Sequence, residues 1–80
     1  MDPPLINYVD NNSILVVNAS GKMRQLFCPF KVQVIIQTNS LIINSWVVVE
    51  QVQQHPQHKL LYRISQQWWP YDVFKLSVIF

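Results

Sequence analysis

The chain has 80 residues, of which half are apolar and only 12% are charged, with a formal net charge of +2. That length allows one small domain, which buries only about 60% of the surface its unfolded chain exposes. A charged fraction roughly half that of an ordinary soluble domain leaves too few charges to cover the outside, and the mild basic balance excludes a chain committed to nucleic acid by charge alone.

In chain order, Met1-Asp2-Pro3-Pro4 offers neither the basic nor the apolar region of a secretory leader. Residues 1–12 read as an N-terminal tail and residues 13–80 as a single domain. Valine, isoleucine and aromatic residues dominate, alanine occurs once, and no sustained 3.6-residue period is present, so the fold class is all-β. Ser13 to Asn18 is the first predicted strand. Asn18-Ala19-Ser20-Gly21-Lys22 is a tight reversal, because Asn18 and Gly21 tolerate positive φ, and Met23 to Phe27 is the return strand. Pro29 cannot donate to a ladder, so the next strand starts at Phe30. It runs to Gln37, with Phe30, Val32, Val34 and Ile36 on its core face.

The segment from Thr38 to Ser45 is a loop whose apolar middle folds back as a lid. Ser45 to Gln53 forms a long strand in which Trp46, Val47, Val48 and Val49 follow one another without alternation, implying cover on both faces. Gln54 to His58 turns around Pro56, and Lys59 to Ser65 returns with Leu60, Tyr62 and Ile64 on one side. Gln67 to Trp69 adds a short strand, Pro70 to Phe74 a helical turn, and Lys75 to Ile79 a closing strand. Five to seven short antiparallel strands in so short a chain predict a small barrel, which removes most free edges.

The ending Trp68-Trp69-Pro70-Tyr71-Asp72-Val73-Phe74-Lys75-Leu76 gives this layout a resemblance. The order of hairpin, strand, aromatic-proline turn and closing strand, from Phe30 to Ile79, resembles the second half of an SH3-like barrel. The early tyrosine-bearing motif and acidic loop of peptide-binding SH3 domains are absent, so what the resemblance implies is the barrel.

The chemistry-bearing residues are sparse. Asp2, Asp10, Glu50 and Asp72 stand apart from one another, which supplies no paired carboxylates for acid/base work. Gly21 is the only glycine, so there is no glycine-rich phosphate loop. His55 and His58 fall short of a four-ligand zinc set. Cys28, between Phe27 and Pro29, reads as a small buried hydrophobe, and a lone cysteine fits a reducing, cytoplasmic compartment. Asn11 and Asn18 match the glycosylation pattern but read as turn residues. The chargeless run from Val32 to Val49 is interrupted by residues such as Gln33, Gln37, Asn39 and Asn44, which argues against a membrane span. The expectation is a protein that is not an enzyme, with no metal, cofactor or small-molecule substrate.

Adjacent strand residues point to opposite faces, so one of Trp68 and Trp69 faces out. With Tyr71, Val47, Val49 and Phe80 it forms an expected aromatic and aliphatic contact patch for a partner protein or a second copy. The function expected is a non-catalytic interaction module or small accessory subunit. The alternative is a nucleic-acid-binding small barrel using Lys22, Arg24, Lys31 and Arg63 with the exposed aromatics.

Overall fold

The computed structural model describes residues 5–78. Among these residues nine antiparallel strands make three three-stranded sheets. The first sheet is a meander of β1 (Leu5–Asp10), β2 (Ser13–Val17) and β3 (Met23–Phe27). The second has the order β5 (Trp46–Val49), β4 (Phe30–Val34), β9 (Phe74–Leu76). The third has the order β6 (Gln51–His55), β7 (Lys59–Ile64), β8 (Gln67–Pro70). A single 3-10 turn, Tyr71–Val73, links β8 to β9.

The all-β expectation agrees with this architecture, but the strands do not close into a barrel. Among the described residues no ladder joins one sheet to the next. Glu50 breaks the expected long strand into β5 and β6, and the chain bends there from the second sheet into the third. Residues 5–10, expected within a tail, are a strand paired with β2 from Leu5↔Val17 to Tyr8↔Ile14. These residues are a strand rather than a tail because Ile6 and Tyr8 alternate inward and pack against the core.

The core lies where the inner faces meet. Ile14 and Val16 come from the first sheet, Val32, Val34, Val49 and Phe74 from the second, and Val52, Leu60, Tyr62 and Ile64 from the third. Tyr62 sits centrally, edge-on to Phe30 at 5.7 Å and tilted against Phe74 at 5.9 Å. Buried Ser13 is satisfied: its hydroxyl donates to Asp10 Oδ1 at 3.0 Å and accepts from Gln25 Nε2 at 3.1 Å.

Local chemistry sets the reversals. Asn18 Oδ1 accepts from the amides of Ser20 (3.1 Å) and Lys22 (2.9 Å), and Gly21 takes φ +86°. Ser65 and Gln66 both adopt left-handed backbone, φ 51° and 66°, and close the β7–β8 hairpin in two residues. The Glu50 carboxylate accepts the Gln66 amide at 3.2 Å and ties that turn to the bend between β5 and β6.

Candidate interaction surface

The connection from β4 to β5 gives the molecule its largest concentration of uncovered apolar side chains. β4 was expected to run to Gln37 with Ile36 facing the core. It stops at Val34 instead: the Ile35 amide donates to the Val73 carbonyl at 2.9 Å, one further bond in register with β9, and the chain then passes into the loop. The loop is then held from inside. Gln37 accepts the Ile43 amide (3.1 Å) and donates to the Leu41 carbonyl (3.2 Å), while Thr38 Oγ1 accepts the Leu41 amide (3.0 Å). Of the apolar middle expected to fold back, only Leu41 is buried. Ile42 is 72% exposed, and Ile35, Ile36 and Ile43 are also open.

The chain re-enters the sheet through a bulge. The Val34 amide donates to the Ser45 carbonyl (2.9 Å) while the Asn44 amide, from a residue at φ 70°, donates to the Val34 carbonyl (2.8 Å). The phase of β5 follows. Val47 and Val49 lie inward opposite Val32 and Phe30, whereas Trp46 and Val48 face out beside Gln33 and Lys31. Cover on both faces was expected for this run. Trp46 is 53% exposed and Val48 is also open, because a chain this short has no second layer to place over the outer face of the second sheet.

Six of the eleven large apolar side chains exposed among the described residues therefore fall between Ile35 and Val48. They follow one another along a loop and the edge strand after it, and among the described residues β5 is laddered to β4 alone. Beside that edge, where the chain bends at Glu50, a shallow cleft of about 310 Å³ is lined by Val47, Val48, Glu50, Ile64 and Ser65.

No protein-family model, curated protein or solved structure matches this chain.

The residues expected to form the contact patch are dispersed. Trp68 faces outward opposite Arg63, 41% exposed, while Trp69 lies opposite Tyr62 and packs on the core. Tyr71 is half-buried, with Lys59 Nζ 6.0 Å from its ring centre. Val47 also packs inward, and Val49 is fully buried, which removes it from any contact surface. Phe80 lies outside the described residues. The cations of the alternative reading come from separate elements: Lys22 lies in the turn between β2 and β3, Arg24 on β3, Lys31 on β4 and Arg63 on β7. Arg63 donates to Gln51 Oε1 at 3.4 Å.

The remaining candidates are occupied or inert. Burial first, and the Asp10 carboxylate second, raise the Cys28 thiol above its usual range, which disfavours the nucleophilic thiolate. His55 Nδ1 accepts the amides of Gln57 and His58, both at 3.1 Å, which commits it to the turn. Among the described residues no three His, Cys, Asp or Glu side chains converge, and no helix is long and apolar enough to cross a membrane.

The strip escaped sequence reasoning because four consecutive apolar residues, Trp46 to Val49, hide their alternation. The available signal was the bulge-prone Asn44-Ser45 pair before them, which fixes which two of the four face out.

Proposed function

We propose that this protein is a non-catalytic interaction module that binds a protein partner through the apolar strip from Ile35 to Val48, with Trp46 as its anchor. The observation that carries the reading is the concentration of six of the eleven exposed large apolar side chains in that one segment. Contiguous apolar surface of this kind marks interaction sites, and tryptophan is the side chain most enriched among interface hot spots.

An SH3-like framework over residues 30–78 forms part of the proposal. Supporting it is the connectivity: β9 beside β4, β4 beside the first half of the bent segment 46–55, β7 beside its second half, then β8 and a 3-10 turn leading back to β9.

The test is capture from a native extract at low and high salt by the wild-type chain and by Trp46→Ala and Ile42→Ser variants that retain the native circular dichroism. The reading expects a partner that survives high salt and is lost with either variant. Capture unaffected by both variants contradicts it.

A second reading has a specific observation behind it. On the outer face of the second sheet, Trp46, Gln33 and Lys75 lie in one row across the strands, and Lys31 lies in the next. An aromatic platform flanked by cations suits single-stranded nucleic acid. Two lysine–phosphate contacts would give a log–log salt slope of about −1.4. Quenching of Trp46 fluorescence by an oligothymidine with that salt dependence supports this reading, and no quenching at low salt removes it.

A further inference from the structure

Several edges of the three sheets carry a feature that discourages further pairing. β3 holds Arg24, β9 holds Lys75, β8 ends in Pro70, and β1 ends in Asp10 after a register shift. β5 has no charge, proline or bulge within it. The bulge at Asn44 and Ser45 fixes its hydrogen-bonding phase: Val47 and Val49 bond to β4, so the N–H and C=O groups of Trp46 and Val48 point to the open side. The edge thus presents two backbone positions turned away from the β4 ladder, with an exposed indole at one end and the cleft walled by Ile64 and Ser65 at the other.

We propose that a second copy of this chain occupies that edge, antiparallel about Val47, so that the Trp46 side chain of each copy enters the cleft beside Val48 of the other. The inference rests on the interaction reading above and names its occupant. In that register each Trp46 stands opposite Val48 of the second copy and exchanges both N–H···O bonds with it. The knob and the hole lie on the same short strand, which is the condition for an isologous contact. The indole N–H, a donor only, meets a cleft wall containing the Glu50 carboxylate, an acceptor whose Oε1 takes the Gln66 amide.

Charge is compatible with a self-contact. The segment from Val32 to Val49 carries none. The two Lys31 side chains would be separated by three strand spacings, about 14 Å, beyond the Debye length of about 8 Å at physiological salt. The whole chain exposes 5525 Å², about a tenth more than the roughly 5,000 Å² of a compact monomer of this mass.

Sedimentation equilibrium of the full chain from about 10 μM to about 1 mM, which brackets a weak to moderate dimer, is the direct test, together with amide hydrogen exchange at both ends of that range. The expected result is a mass rising toward twice the 9.5 kDa of one chain, with the Trp46 and Val48 amides becoming protected in step. Trp46→Ala removes the knob, and Val48→Pro removes an outward N–H while leaving the β4 ladder intact. Each is expected to weaken the dimer at least about tenfold. If Val48→Pro fails to fold, Trp46→Ala and the wild-type exchange data decide. A monomer throughout the range overturns the second-copy assignment but leaves the capture experiment to judge the interaction reading. A dimer that tolerates both variants, or whose Trp46 and Val48 amides stay open, overturns the β5 pairing and takes the strip out of self-association.

Discussion

At the residue scale, Tyr62 is the most constrained position. It is 1% exposed, and its hydroxyl has no hydrogen-bond partner. Removing an unpaired buried hydroxyl sheds a desolvation cost, so Tyr62→Phe is expected to be neutral or up to about 1 kcal/mol stabilising by urea denaturation. Burial first, then Tyr71 and Cys28, raise the Tyr62 hydroxyl well above the ordinary tyrosine range. Below about pH 10 both native and unfolded chains hold that proton. Above it the unfolded chain releases the proton and the native chain keeps it, so stability falls as pH rises. That alkaline decline is expected to shrink in Tyr62→Phe, and an unchanged decline would show that another group causes it. A second residue-scale comparison separates surface from core on one strand. Trp46→Ala is expected to change stability by less than about 1 kcal/mol. Val49→Ala, which empties a fully buried site, is expected to cost about 2–3 kcal/mol. Equal costs would mean that Trp46 is packed.

At the element scale, the legible parts were those whose signal is local. β3 runs from Met23 to Phe27 as the sequence predicts, because the reversal before it is built by Asn18 and Gly21 and Pro29 follows shortly after its end. The 3-10 turn at Tyr71 to Val73 follows from Pro70 in the same way. β1 was missed although Ile6 and Tyr8 alternate, since so short an alternation becomes decisive only through its pairing with β2. Its removal is accordingly a strong test. Deleting residues 1–10 uncovers Ile14 and Val16, which face Tyr8 and Ile6 across the ladder, and is expected to abolish cooperative thermal unfolding. A truncated chain with the parent transition would restore the tail reading. The Ser65–Gln66 turn was equally opaque, because neither residue favours the left-handed backbone it adopts. The double substitution Ser65→Asn and Gln66→Gly suits such a turn and is expected to stabilise the hairpin by about 1 kcal/mol in urea unfolding. A loss of stability would show that the side chains now present are needed there.

At the scale of the whole molecule, the sequence pointed to a chain with too few charges to cover itself, and most of the uncovered apolar side chains among the described residues lie away from those it singled out. Trp68, Trp69 and Tyr71 drew attention because they are adjacent in the chain, yet Trp69 and Tyr71 pack against the core. The surface that stays open is set by layer count: one layer of sheet backs the segment from Ile35 to Val48, and which side of β5 lacks a neighbour is a property of topology. The radius of gyration, 12.0 Å, matches the roughly 12 Å of a compact chain of this length. Looseness therefore does not account for the exposed apolar area. The central claim is that β5 is a free, unguarded edge in the single chain. Residue-resolved amide hydrogen exchange at a concentration where the protein is monomeric tests it most directly. The account expects Val47 and Val49 to be protected by the β4 ladder while Trp46 and Val48 exchange like open backbone. Protection of Trp46 and Val48 equal to that of their neighbours in the monomer would contradict it, because the edge would then be covered by the chain itself.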